Sequence, residues 1–149
     1  MLKPIAVATF ISGTLDILLA MLLTLWFGRE IPDMLRMVAS GPFPAATDMG
    51  AGGAILGLVV HFTLMAIMAA IFMWIVRLRP ALLDAPYRTA LAYGVVTYFA
   101  MNWLVVPLRF GSPLPPKTLS IVTQLFAHIV LVGIPFALVA VRYLKPRPT

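Results

Sequence analysis

Apolar residues run almost unbroken through four stretches of the chain, roughly residues 5–27, 51–76, 87–107 and 119–143. Each matches or exceeds the roughly 20 residues that a helix needs to cross about 30 Å of hydrocarbon. Glycine, proline and charge break the pattern between them, in GREIPD, RLRPALLDAPYR and RFGSPLPPK, where helices should stop. The pattern predicts an all-α fold, a single domain over residues 1–149 built as an up-down bundle of four transmembrane helices.

A second, shorter period lies in the first connection, residues 28–50. Ile31, Met34, Leu35 and Val38 fall at i, i+3, i+4 and i+7 around Pro32, a residue suited to a helix start. This predicts a short amphipathic helix lying on the outer leaflet, either covering the end of the bundle or acting as a lid over an opening. Residues 40–44, SGPFP, end that helix, and Thr47 or Asp48 is placed to cap the next one. The third connection, residues 111–116, is short and stiffened by proline, so the third and fourth long helices should be antiparallel neighbours.

Composition agrees with lipid as the solvent. Of 149 residues, 62% are hydrophobic and 11% charged, and the mean hydropathy is +1.01. A soluble domain of this length buries only roughly two-thirds of its surface, so it would expose large apolar patches. The first stretch is too long for the apolar region of a cleaved signal peptide, and no small-x-small pattern follows it near Phe27, so it is expected to remain as a helix. There is no cysteine, which excludes disulfides, thiolate chemistry and Cys-ligated metals.

The net charge of +6 is distributed as in a membrane protein rather than a nucleic-acid binder. With the N-terminus, second connection and C-terminus on one side, that side holds Lys3, Arg77, Arg79, Arg88, Arg142, Lys145 and Arg147 against Asp84. The other side holds Arg29, Arg36, Arg109 and Lys117 against Glu30, Asp33 and Asp48. The bias predicts both termini in the cytoplasm, with anionic lipid headgroups as counter-charge. Trp26, Trp74, Trp103, Tyr87 and Tyr143 fall near helix ends, as an interfacial aromatic belt requires.

Against this background the polar residues inside the stretches stand out. Asp16 lies eleven residues from Phe27, about 16 Å below the outer boundary at 1.5 Å per residue. His61 and His128 come out at about 15 and 14 Å on the same arithmetic. Thr9, Ser12, Asp16, Ala20 and Thr24 form one small and polar stripe; Gly53, Gly57 and His61 form another, and Gly94, Tyr98 and Asn102 a third. The fourth helix offers Gln124 and His128, followed by Gly133 and Pro135, where proline frees a backbone carbonyl. These stripes should converge on the bundle axis. A charged side chain at mid-bilayer costs at least about 2.5–3.5 kcal/mol, which favours pairing Asp16 with His61 or His128. Gly53, Gly57 and Gly94 read as packing positions, and Tyr98, Asn102 and Gln124 as interhelical hydrogen bonders or members of the same site. Met65, Met68 and Met73 are ordinary core and lipid-facing thioethers rather than a soft-metal path.

GTLD at 13 to 16, ASGPFP ending the first connection, GG and LG leading to HF at 52 to 62, YG with MN and VVPL at 93 to 108, and H with VGIP at 128 to 135 resemble a widespread class of uncharacterised four-helix bacterial inner-membrane proteins. The C-terminal half, with QLFAH, is more distantly similar to the YagU-type inner-membrane proteins. The resemblance implies a bacterial inner-membrane location and no particular reaction.

Three functions fit this pattern. Asp16, His61 and His128 can form a midplane site for a proton or a small cationic or polar solute. Alternatively, the chain is an accessory or assembly subunit of a larger membrane complex, or a homo-oligomer, with the polar cluster as an interhelical lock. The third reading is a b-type haem protein with His61 and His128 as axial ligands. An enzyme would need more acid, base or nucleophilic groups near an interface than this chain supplies.

Overall fold

The computed structural model describes residues 1–145. Its helices are α1 (Leu2–Trp26), α2 (Ile31–Ser40), α3 (Gly50–Leu78), α4 (Pro86–Phe110) and α5 (Thr118–Leu144). No strand occurs among the described residues. All but α2 are long and apolar enough to cross a membrane. Their outer faces leave Phe10, Leu22, Ile55, Val96 and Leu108 open, an apolar shell suited to lipid rather than water.

The first-connection helix forms where the i, i+3, i+4, i+7 pattern places it. Helix α4, expected to stop near Pro107, continues to Phe110 and ends at Gly111 in the left-handed conformation (φ 62°) that glycine adopts without penalty. Proline has no N–H and crowds the carbonyl four residues back. The helix absorbs this by widening into a π-helical turn over Ala100–Val105 just before Pro107. Helix α5 does the same over Ala127–Gly133, ahead of Pro135. No side chain caps α3: Thr47 and Asp48 are taken up in a 3₁₀ turn, Pro44–Asp48, and the Thr47 hydroxyl donates to the Pro44 carbonyl at 3.4 Å.

Helix α5 is the most buried of the long helices and touches α1, α3 and α4. Lys3 sits 5.7 Å from the Tyr143 ring, and the Ser12 hydroxyl reaches the Val132 carbonyl at 3.5 Å, so α1 and α5 run antiparallel. Between α4 and α5 the backbones nearly touch. A methyl group added at Gly94 would lie 2.6 Å from the His128 carbonyl oxygen, and one at Gly133 would lie 2.5 Å from that of Ala90. The main core fills the end that carries the termini, around Phe72, Met73, Val76, Leu83, Phe136 and Ala140. There Tyr93 packs edge-on against Phe72 at 4.9 Å and donates its hydroxyl proton to the Met68 carbonyl at 2.7 Å, linking α4 to α3. Lys145 closes this end with a 3.0 Å ion pair to Asp84.

The opposite end is built differently. Helix α2 packs along α3 rather than resting on the surface of the bundle. Gly57 admits the Leu35 backbone and Gly53 that of Ala46, each closer than any side chain would allow. Arg109 holds α2 from the other side: its Nε donates to the Gly41 carbonyl at 2.5 Å and its Nη2 to that of Ser40 at 2.7 Å. A cation there satisfies the last carbonyls of α2 and complements its dipole.

Gly57→Ala is therefore expected to destabilise the purified protein by about 1–3 kcal/mol, as overpacking against backbone does. Gly52→Ala, where nothing lies within 4 Å, should leave the thermal midpoint in detergent unchanged or slightly higher. Equal midpoints for the two variants would refute the tight seat of α2.

Candidate functional site

Asp16 is the only acid inside the four long helices. Its Oδ2 lies 4.0 Å from Nδ1 of His61, with the Asp16 side chain 23% exposed. Both residues occupy faces where α1 and α3 approach closely: Gly13, one turn from Asp16, has the Phe62 ring against its Cα. The other imidazole nitrogen of His61, Nε2, is 2.9 Å from the Gly13 carbonyl oxygen. A carbonyl only accepts, so Nε2 carries the proton of that bond. This assigns the tautomer: Nδ1 is the nitrogen left facing the Asp16 carboxyl group.

His128 takes different neighbours. Its Nδ1 lies 3.1 Å from the Thr97 hydroxyl, and its ring meets Tyr98 edge-on at 6.2 Å. Thr97 also contacts the Tyr93 and Gly94 carbonyls at 3.0 and 3.1 Å. Its single proton goes to those carbonyls, and its oxygen receives Nδ1–H of His128. The structure thus brings Asp16 and His61 together between α1 and α3, and His128 with Thr97 and Tyr98 between α5 and α4. Depth is nonetheless shared: the contact of Ser12 with Val132 puts position 128 opposite position 16, one turn along both antiparallel helices.

The remaining polar residues divide between the two environments. Tyr98 is buried and accepts a hydrogen bond from Trp103 Nε1 at 3.1 Å. Asn102 donates to its own helix, to the Tyr98 carbonyl at 3.2 Å. Gln124 lines a cleft of about 910 Å³ between α1, α2 and the first half of α5. That cleft exists because α1 contacts α5 from Ala127 onward and diverges from it over Thr118–Phe126. Ala20, Leu23, Thr24 and Phe27 form its α1 wall, and Ser120, Thr123 and Gln124 its α5 wall; Met34 and Met37 of α2 complete it. Arg29, Glu30, Asp33 and Lys117 stand at the rim, where Asp33 is ion-paired to Arg36. Positions 16, 20, 23, 24 and 27 share one face of α1, so Asp16 stands one turn beyond the cleft's lining on the same stripe. The walls fall about 10 Å from Phe27 to Ala20 before reaching it.

A metal or haem finds little accommodation here. Among the described residues no three His, Cys, Asp or Glu side chains gather to hold a metal ion. Axial ligation of one haem by both histidines needs a free nitrogen on each, facing across one gap. Both nitrogens of His61 are turned to α1, and His128 is turned to α4, so this pair does not fit that group.

Three participants escaped the reading of the sequence. The Gly13 carbonyl orients His61, and a glycine beside Asp16 signals close helix approach. Thr97 shares a face with Gly94 and Tyr98, a periodicity that was available to find it. Arg109 shows in the sequence only as a charge at a helix end, with nothing to indicate that it holds α2.

His61→Leu, which removes the donor to Gly13, should cost about 1 kcal/mol of stability. His61→Gln keeps an N–H within reach of that carbonyl and should cost less. Thermal unfolding of both variants in detergent checks the ranking, and the reverse order would contradict the orienting role of Gly13.

No family model, curated protein or solved structure matches the chain.

Proposed function

We propose that this chain is a multi-pass protein of the bacterial inner membrane, an up-down bundle with both termini in the cytoplasm, in which Asp16 and His61 form a midplane station for proton or small-solute transport. The orientation is supported by Lys3, Arg77, Arg79, Arg88, Arg142 and Lys145 at the end carrying the termini, with Asp84 as the acid there; Arg147 lies outside the described residues. Trp26, Trp74 and Tyr87, exposed near helix ends, suit the two interfaces. The resemblance to small four-helix bacterial membrane proteins supports the same location.

One observation carries the functional reading: a carboxyl group in an apolar span, 4.0 Å from an imidazole nitrogen of defined tautomer, on the helix face that continues as the wall of a cleft. A carboxylate at that depth needs a partner, and the imidazole of His61 supplies one able to exchange a proton with it. The cleft ends one turn from Asp16 on the same face of α1, and an interhelical lock needs no such approach from the surface.

Reconstitution into liposomes tests this. Under a potassium diffusion potential, an internal pH dye should report proton uptake by the wild-type protein, and Asp16→Asn should lower the rate at least tenfold, to that of protein-free vesicles. His61→Gln, which keeps the bond to Gly13 but removes the ring nitrogen facing Asp16, should lower it comparably. Unchanged flux in both variants would remove the pair from any transport role.

A further inference from the structure

We infer that the cleft between α1 and the first half of α5 holds one phospholipid with a zwitterionic, ethanolamine-type headgroup, its phosphate and amine at the charged rim and an acyl chain along the walls below. Neither Asp16 nor His61 belongs to the lining, so this occupant is independent of the proton station.

The cleft lies at a seam between two apolar spans. Helix α1 contacts α5 from Ala127 onward and parts from it over Thr118–Phe126, where no residue is buried. Phe27, Met37 and Leu119 line the gap and are 49%, 54% and 55% exposed, an apolar surface that the chain itself leaves uncovered. From Phe27 to Ala20 the walls descend about 10 Å, against about 15 Å of hydrocarbon in one leaflet. An acyl chain entering from its headgroup end follows that course. The volume, about 910 Å³, is at the upper end of the roughly 300–1,000 Å³ typical of sites for organic molecules. Thr24 donates to the Ala20 carbonyl at 2.7 Å and Thr123 to that of Leu119 at 2.9 Å, so these hydroxyls are satisfied within their own helices and leave walls suited to hydrocarbon. Beside such an opening in a membrane, lipid is the most abundant species, and mass action favours its occupancy.

Charge at the rim selects the headgroup. Arg29, Glu30, Asp33 and Lys117 stand there, but they are not equivalent. Asp33 is neutralised by Arg36. Among the described residues Arg29, Glu30 and Lys117 enter no ion pair, which leaves two cations and one acid at the opening. Arg29 sits 5.8 Å from the Phe27 ring, and its planar fork suits a phosphate bidentately, with Lys117 as a second point charge. Glu30 then remains, and its carboxylate accepts hydrogen bonds from an ammonium group. A phosphoethanolamine carries both charges and brings N–H donors on its amine. The choline amine has no N–H to give Glu30, and a phosphoglycerol has no cation at all. Ser120 lines the cleft one turn below Lys117, at the level where a lipid's ester carbonyls follow its phosphate, and a hydroxyl there can donate to them.

Native mass spectrometry of the full-length protein released from detergent, with dioleoyl phosphatidylethanolamine, phosphatidylcholine and phosphatidylglycerol added in turn, tests this. One phosphatidylethanolamine should be retained at least tenfold more tightly than either of the others. Arg29→Ala combined with Lys117→Ala should weaken its retention at least tenfold, and Glu30→Gln should remove the preference for ethanolamine over choline. Arg77→Ala with Arg79→Ala, at the end that carries the termini, should change neither. All of these residues are exposed, so far-UV circular dichroism should stay unchanged throughout. Equal retention of the three lipids, or retention that the rim variants leave unmoved, would overturn the inference as ordinary annular contact. Tighter retention of phosphatidylglycerol would overturn the role of Glu30 and with it the ethanolamine headgroup. Glycerophosphoethanolamine, the headgroup without chains, should not compete; displacement of the lipid by an equal concentration of it would make this a site for a water-soluble phosphodiester and overturn the lipid. None of these readouts involves flux, so the proton station stands or falls separately.

Discussion

The near contact of the α4 and α5 backbones at Gly94 and Gly133 is the constraint on which the rest of the structure depends. It seats α5 in the middle of the bundle, against α1, α3 and α4 at once, and puts His128 beside Thr97. Only glycine permits this spacing, because a methyl group at either position would strike a carbonyl of the other helix. Aromatic packing of Phe72, Tyr93 and Phe136 then fills the space on the termini side. Without that seat α5 has no fixed depth, and no reason to close against α1 at Ser12.

Tight packing at one end produces looseness at the other. The two helices with a proline in their interior, α4 and α5, widen into π turns partway along, and beyond its own turn α5 leaves α1. No residue of Thr118–Phe126 or Ala100–Val105 is buried. Helix α2 partly makes up for the missing contact: held by Gly53 and Gly57 on one side and Arg109 on the other, it serves as the third wall of the cleft. A single asymmetry, dense at the termini and divided at the far end, thus leaves an opening whose lining stops one turn short of Asp16.

Polar side chains in this bundle are mostly satisfied within one or two helices. His61 turns to the Gly13 carbonyl, Thr24 and Thr123 to their own helices, and Asn102 to the Tyr98 carbonyl. Such local satisfaction is what an apolar solvent demands, since no water waits to accept a stray donor. Asp16 differs, because its 4.0 Å approach to His61 exceeds a hydrogen bond.

Four spans, their limits to within a few residues and the amphipathic helix before the second span follow from the sequence alone, because lipid forces every backbone group into helices and leaves hydropathy as the dominant signal. So does the shared depth of Asp16, His61 and His128, which is counting along a regular rise. Which histidine meets the carboxylate does not follow, since both are at the right depth and the choice turns on the rotation of α3 and α5 about their axes. That rotation is decided by the Phe62 ring against Gly13 and by backbone approaches at Gly94 and Gly133, which are contacts between distant parts of the chain. The same holds for α2, whose period predicts a helix but not the glycine notch in α3 that receives it. The cleft is furthest from the sequence, being the space left where two helices part, and only packed helices have space between them.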